Sequence, residues 1–140
     1  MDTSLIAPCG MNCGLCSAYL AYANELPRAR GKISHCPGCR PRNKQCAYIK
    51  GQCSLLRNNK IDFCFECKNF PCERLKKINN RYNINYSFDF IENLIFIKKN
   101  GIEKFVKMQN KKYKCPNCDG MISVHNGKCF KCDNVESWRE

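Results

Sequence analysis

Cysteine is the residue type of this chain with the clearest chemistry, since it supplies 14 of the 140 residues. Two thiolates three positions apart can hold one tetrahedral ion from a tight turn, and structural zinc sites use that spacing. A thioredoxin-like redox protein has one such pair at the start of a helix. This chain has five C-x2-C pairs and therefore favours metal binding. They are Cys13/Cys16, Cys36/Cys39, Cys64/Cys67, Cys115/Cys118 and Cys129/Cys132.

The last two pairs predict the most specific site. Ten residues separate them, and within this stretch Asn126-Gly127 is a strong signal for a two-residue hairpin turn. A hairpin with one pair at each end brings four sulfur atoms around one ion, so we predict a zinc ribbon over residues 113–140. This module is too small for a self-sufficient core, and zinc would supply its folding energy. The predicted ligands are Cys115, Cys118, Cys129 and Cys132.

The ten remaining cysteines suffice for two further zinc sites, which would give about three zinc ions per chain. One stretch has the spacing C-x2-C-x6-C-x6-C among basic residues, Gly and Pro, with no apolar pattern that could hold it. The ligands predicted there are Cys36, Cys39, Cys46 and Cys53. Those predicted for the other site are Cys13, Cys16, Cys64 and Cys67, with Cys9 and Cys72 as alternative ligands.

Two other arrangements stay open for the amino-terminal cysteines. Cys9, Cys13 and Cys16 have the C-x3-C-x2-C spacing with which radical-SAM enzymes hold a 4Fe–4S cluster. The chain is too short for a radical-SAM barrel, so this spacing leaves an iron–sulfur or redox protein as the alternative function. Six thiolates could also share two zinc ions, as in fungal binuclear clusters, although the long spacer departs from that pattern. They would be Cys36, Cys39, Cys46, Cys64, Cys67 and Cys72.

The charge of the chain points to an anionic partner. The chain has 24 basic and 12 acidic side chains, which give a formal charge of +12. A zinc ion with four thiolates contributes a charge of −2, so three sites lower the total to about +6. Two segments interleave basic and aromatic residues, the types that phosphate contacts and base stacking need, so we expect nucleic acid, or else a protein, as the partner. They contain Arg40, Arg42, Lys44, Tyr48 and Lys50, then Lys111, Lys112, Tyr113, Lys114, Phe130 and Lys131.

Several classes of protein are excluded by the sequence. The most apolar run, Phe88–Ile97, includes Asp89 and Glu92 and is shorter than the roughly 20 residues of a transmembrane helix. The first residues lack the basic and apolar regions of a signal peptide. We expect a cytoplasmic protein without membrane contact, whose thiols stay reduced. No catalytic motif is visible, and all-cysteine sites are usually closed and structural, so the sequence favours a non-enzymatic role.

The apolar pattern predicts two helices in the amino-terminal part. The first covers Ala18–Leu26 and ends before Pro27. The second begins near Phe70, with Leu75 directed inward. An Asn-rich connector over 79–87 follows it. His125, further along the chain, has no evident partner.

A central helical pair over 88–112 is the segment with the most regular apolar pattern. Ser87 is placed to cap its first helix, 88–99, and Asn100-Gly101 separates this helix from the second, 102–112. The predicted fold is small and α+β, with an irregular zinc-binding part with short helices, the helical pair and a carboxyl-terminal zinc-ribbon hairpin. The expected domains are 1–112 and 113–140.

Distinctive cysteine motifs occur in the segments Ala7-Pro-Cys-Gly-Met-Asn-Cys-Gly-Leu-Cys-Ser-Ala-Tyr, Cys36-Pro-Gly-Cys-Arg and Phe63-Cys-Phe-Glu-Cys-Lys-Asn-Phe-Pro-Cys-Glu-Arg-Leu. Together they resemble the DUF3795 family, a prokaryotic domain of unknown function. The segments Ile91-Glu-Asn-Leu, Gly101-Ile-Glu-Lys-Phe and Cys115-Pro-Asn-Cys look like members of that family with an appended ribbon. The resemblance implies a bacterial or archaeal, cysteine-rich, zinc-binding protein and no particular activity.

Overall fold

The computed structural model describes residues 2–42 and 53–139, and within these ranges the chain is mostly helical. None of the described helices has the length and apolarity that crossing a membrane requires. Short 3-10 helices lie at Thr3–Leu5, Cys13–Leu15 and Cys64–Glu66. The α-helices are α1 (Ser17–Ala23), α2 (Cys39–Arg42), α3 (Ser54–Arg57), α4 (Glu73–Tyr86), α5 (Phe90–Asn100) and α6 (Ile102–Lys112). The predicted site residues outside the described ranges are Cys46, Lys44, Tyr48 and Lys50.

Turns replace the predicted zinc-ribbon hairpin, so the described residues form no β-strand and the fold is mostly helical rather than α+β. A ladder cannot extend here because backbone amides of this segment bind elsewhere. The N–H of Val124 donates to the carbonyl oxygen of Leu15 at 3.1 Å, and that of His125 donates to Ser123 Oγ at 3.1 Å. The bridges that remain are isolated and join Lys114 with Met121 and Ile122 with Cys129.

Helix α4 includes most of the Asn-rich stretch that was predicted as a connector. Asparagine has low helix propensity, but packing of the other side chains outweighs it. Tyr82 and Tyr86 contact each other edge to face, with ring centroids 4.9 Å apart. Asn79 is buried, and its Oδ1 accepts hydrogen bonds from the backbone N–H groups of Phe90 at 2.6 Å and Ile91 at 3.1 Å. An asparagine of α4 therefore caps α5.

The predicted helical pair is present, and its first helix starts two residues later than expected. Asp89, not Ser87, is the N-cap of α5, because its Oδ1 accepts the N–H of Glu92 at 2.9 Å. Ser87 instead ends α4 in the left-handed region, with φ of 52°. Gly101 joins α5 to α6 with φ of 92°, a conformation that glycine adopts at low cost. Helix α6 has the predicted bounds.

The core lies between α4, α5, α6 and the amino-terminal segment, and this packing fixes the first cysteine motif. Gly10 allows the backbone to approach α5, since a Cβ there would lie 2.5 Å from the carbonyl oxygen of Phe90. Asn93 Nδ2 donates to the carbonyl oxygen of Gly10 at 3.0 Å. Asn12 Nδ2 donates to Gln109 Oε1 at 3.2 Å. The largest fully buried apolar side chains are those of Ile6, Leu15, Leu75, Phe90, Leu94 and Phe105.

Candidate metal centre

Four cysteine sulfur atoms near the carboxyl terminus lie close enough to share one ion. All four are within 4.8 Å of one another. The Sγ atoms of Cys115 and Cys132 are 3.7 Å apart, and those of Cys118 and Cys129 are 3.5 Å apart. Four sulfurs about 2.3 Å from a zinc ion are separated by about 3.8 Å, whereas a disulfide bond measures about 2.05 Å. The separations therefore fit one tetrahedral ion and exclude disulfides within this set.

Backbone amides hold the first pair of sulfurs in place. The N–H of Asn117 donates to Cys115 Sγ at 3.4 Å, and the N–H of Gly120 donates to Cys118 Sγ at 3.2 Å. Hydrogen bonds of this kind favour the thiolate, which is the metal-binding form. Position 120 also has no room for a side chain, because a Cβ there would lie 2.8 Å from Cys129 Sγ. A larger residue there would push the two pairs apart.

Carboxylates position the second pair. Asp133 Oδ2 accepts the backbone N–H of Cys129 at 2.7 Å, which fixes the turn that carries the ligand. The Lys131 ammonium forms an ion pair with Asp119, which follows Cys118 directly. Both side chains of this ion pair are exposed, so it adds little stability by itself. Its effect is to link the two turns that carry the sulfur atoms.

Proton release accompanies ion binding at this centre. The hydrogen bond from the Asn117 amide lowers the pKa of the Cys115 thiol to about 7. The hydrogen bond with Cys115 raises the pKa of the Cys132 thiol. An ion held by both sulfurs must therefore displace the proton that the Cys132 thiol retains.

Buried hydrogen bonds anchor the metal centre to α1. Ser17 Oγ donates to the carbonyl oxygen of Trp138 at 2.9 Å and lies 2.8 Å from Ser123 Oγ. Because the Ser17 proton is used on Trp138, the Ser123 hydroxyl is the donor in the contact between the two serines. The segment that carries Cys129 is thus held against the helix that directly follows Cys16.

His125 lies at the centre of this anchor, although no partner for it could be predicted from the sequence. The backbone N–H of Ser17 donates to its Nδ1 at 3.2 Å, and its Nε2 lies 2.9 Å from the Tyr82 hydroxyl oxygen. A neutral imidazole carries one proton, so Nε2–H is the donor to Tyr82. The Tyr86 and Trp138 rings contact the imidazole edge to face at 4.9 and 5.3 Å. These partners come from distant parts of the chain, which is why spacing could not reveal them.

We predict that protonation of His125 weakens the fold in mild acid. Burial, followed by the charge of Arg139, lowers the pKa of His125 from 6.5 to about 4. Its contribution to stability is therefore complete above pH 6.5 and is lost as the pH falls toward 4, because the unfolded chain binds the proton more tightly. A shift of this size corresponds to about 3 kcal/mol, at about 1.4 kcal/mol per pKa unit.

Urea unfolding of the wild-type chain and of His125→Gln at several pH values between 4 and 7 measures this effect. The glutamine keeps an amide donor for Tyr82 near the position of Nε2 but does not titrate in this range. The variant should lose less stability than the wild type between pH 6.5 and 4, while acid effects on the thiolates are common to both. Equal losses would show that His125 does not contribute to acid sensitivity.

The amino-terminal cysteines lie in looser groups, with neighbours that cross the two sets predicted from spacing. The N–H of Cys39 donates to Cys13 Sγ at 3.4 Å. Burial, together with repulsion from the Cys36 and Cys39 thiols, raises the pKa of the Cys16 thiol to about 11. Burial also raises the pKa of the Cys64 thiol. Repulsion from neighbouring thiols also raises the pKa of Cys64, and these neighbours are Cys9, Cys72, Cys53 and Cys67.

Comparison with known proteins gives a family match over the amino-terminal part. The family described as "Protein of unknown function (DUF3795)" matches residues 5–77, more than half of the chain. This range includes the cysteines from Cys9 to Cys72 and leaves out the carboxyl-terminal four. No curated protein and no solved structure matches the chain.

Proposed function

Because the chain belongs to the DUF3795 family, whose function is unknown, we propose a role from its own residues. It is a non-enzymatic protein that binds several zinc ions and contacts nucleic acid through a basic face beside the carboxyl-terminal metal centre. The observation that carries this proposal is the set of four sulfur atoms within 4.8 Å of one another. Such a set needs an ion to hold four thiolates together, because without one they repel each other.

Zinc in a structural role is the best match for this ligand set. Thiolates select soft or borderline ions such as zinc over magnesium or calcium. Four thiolates also fill a tetrahedral shell and leave no position for water or a substrate, which argues against catalysis. The ion would hold residues 113–139 in a ribbon-like pair of turns. The described cysteines form no disulfide, as a reducing cytoplasm would require.

Helix α6 supports the nucleic-acid part of the proposal. Lys104, Lys107 and Lys111 follow one another at i, i+3 and i+7, so they lie on one face of the helix, and all three are exposed. Lys114 continues this basic face to the residue before Cys115. An ion at the metal centre would fix the direction of this face relative to the rest of the carboxyl-terminal segment.

Some residues expected to contact nucleic acid instead make contacts within the protein. The Arg40 guanidinium forms an ion pair with Asp62 at 2.6 Å, donates through Nε to the carbonyl oxygen of Ile6 at 2.7 Å and lies over the Phe63 ring. Phe130 is buried and has no free ring face for stacking. Tyr113 is partly exposed, with the Lys112 ammonium over its ring. The basic face of α6 is therefore the better candidate for contact with phosphates.

We expect the wild-type chain to bind labelled single-stranded RNA or DNA with an affinity that falls as salt rises. Each phosphate contact on a single strand contributes about 0.7 to the slope of log affinity against log salt. The triple variant K104Q/K107Q/K111Q should lose about 2 from this slope, because three contacts are removed. Fluorescence anisotropy at several salt concentrations measures both slopes.

A control variant that loses the same number of positive charges distinguishes contact with the α6 face from general electrostatic attraction to nucleic acid. Lys32, Lys60 and Lys68 are also exposed but lie outside α6, so K32Q/K60Q/K68Q removes the same charge elsewhere. It should leave most of the slope unchanged. An equal effect of both variants would mean that α6 is not the binding face. Absence of binding by the wild type would overturn the nucleic-acid role and leave a protein partner as the alternative.

A further inference from the structure

We infer that Cys13, Cys16, Cys36 and Cys39 form a second four-thiolate zinc site, with a membership that differs from the one predicted by spacing. Two C-x2-C pairs supply its ligands, as they do in the carboxyl-terminal centre. The pairs are separated by 19 residues that include α1. This site shares no ligand with the carboxyl-terminal one.

Direct contacts bring these two pairs together. The backbone N–H of Cys39 donates to Cys13 Sγ at 3.4 Å, and the Cys39 side chain is the main cause of the raised pKa of the Cys13 thiol. The N–H of Cys36 donates to the carbonyl oxygen of Ala18 at 3.1 Å, which ties the second pair to the start of α1. Cys16 interacts electrostatically with the Cys36 and Cys39 thiols. Each member of the set therefore has at least one other member as a neighbour.

The local geometry at Cys36 repeats that of the carboxyl-terminal centre. The N–H of Gly38 donates to Cys36 Sγ at 3.4 Å, as the N–H of Asn117 does to Cys115 Sγ at 3.4 Å. A donor two residues after the sulfur is thus common to both turns. The Arg42 guanidinium also donates to Cys36 Sγ at 3.3 Å, and its positive charge favours a thiolate at this position.

A second observation, independent of the first, points to a third site around a cavity. A cavity of about 250 Å³ lies between α3 and the start of α4. Its lining includes four cysteines, namely Cys53, Cys64, Cys67 and Cys72. The N–H of Asn69 donates to Cys67 Sγ at 3.4 Å, which is again a donor two residues after the sulfur. We propose these four thiols as the ligands of another zinc ion.

Cys9 is left between the two sets as a buried thiol without a metal-binding role. It interacts with Cys39 of one set and Cys64 of the other. Its side chain is 6% exposed and belongs to the apolar core.

Zinc counting by native mass spectrometry on single and double variants tests this grouping. Cys16→Ser and Cys36→Ser should each lose about one zinc ion. Because both belong to the same site, C16S/C36S should lose about one ion as well, whereas C16S/C67S should lose about two. Loss of two ions from C16S/C36S with loss of one from C16S/C67S would overturn the grouping and support the set predicted from spacing. Cys9→Ala is the matched control and should keep every ion.

Wild-type protein provides a test that does not depend on the folding of variants. Thiols that hold an ion are protected from alkylation. A chelator is therefore added in increasing amounts, and the exposed thiols are labelled at each step by a pulse of N-ethylmaleimide. Peptide mapping then shows which cysteines lose their ion together. Cys13, Cys16, Cys36 and Cys39 should become reactive in one phase, and the four cavity thiols in another. Joint exposure of Cys13 and Cys16 with Cys64 and Cys67 would contradict the inference, and so would iron in place of zinc.

Discussion

Replacing Cys132 by serine should release about one zinc ion per chain and unfold residues 113–139. Cys132 is exposed, so serine there costs no packing, and any effect must come from the missing thiolate. Structural zinc contributes about 10–16 kcal/mol to the folding of a small site. This contribution of zinc is comparable to the whole net free energy of unfolding of a typical domain, about 5–15 kcal/mol. Loss of the ion should therefore unfold the segment rather than loosen it.

Hydrogen exchange measured by mass spectrometry, together with a zinc count, checks this result. Amides that bind sulfur, such as those of Asn117 and Gly120, should lose protection in Cys132→Ser. Asn134→Ser is the control, since residue 134 is also exposed and two positions away but supplies no ligand. A Cys132→Ser chain with unchanged zinc and unchanged protection would show that Cys132 is not a ligand.

Replacing Phe105 by alanine should destabilise the whole chain while leaving every zinc ion in place. Phe105 is fully buried on α6, and its ring centroid lies 6.0 Å from that of Phe96 on α5. Loss of a buried phenylalanine side chain costs about 3–5 kcal/mol, because it removes apolar contacts and leaves a cavity. In a chain of this size the midpoint of thermal unfolding should fall by about 10–20 °C.

Met108→Ala on the same helix is the matched control for this effect. Met108 is 39% exposed, so its truncation should change stability by about 0.5 kcal/mol or less. Thermal unfolding followed by circular dichroism, with a zinc count at room temperature, compares the two variants. Similar unfolding temperatures for Phe105→Ala and the wild type would mean that the helical pair does not provide the apolar core.

The elements set by local pattern could be predicted from the sequence, and those set by distant contacts could not. Helix α6 has the expected bounds because Gly101 ends one helix and the apolar residues after it have helical spacing. The second half of helix α4 was not predicted, because its asparagines indicate a connector. Asn79 is favourable there only because its side chain caps α5, eleven residues further on.

The candidate sites also differ in whether local spacing or distant contacts bring their residues together. Cys115, Cys118, Cys129 and Cys132 could be grouped from sequence because a short turn connects their pairs. The neighbours of Cys13 and Cys64 depend on how α1 and the core fold back, and spacing carries no information on that. The partners of His125 lie in three separate segments, so spacing could not reveal them either.

Metal analysis of anaerobically purified protein tests the central claim most directly. Native mass spectrometry of the wild-type chain should find about three zinc ions and no iron, and the same measurement on Cys132→Ser should find one zinc ion fewer. Cobalt substituted for zinc should give the visible spectrum of a tetrahedral thiolate site. A wild-type chain that folds without metal, or a brown protein containing iron and labile sulfide, would contradict the zinc account.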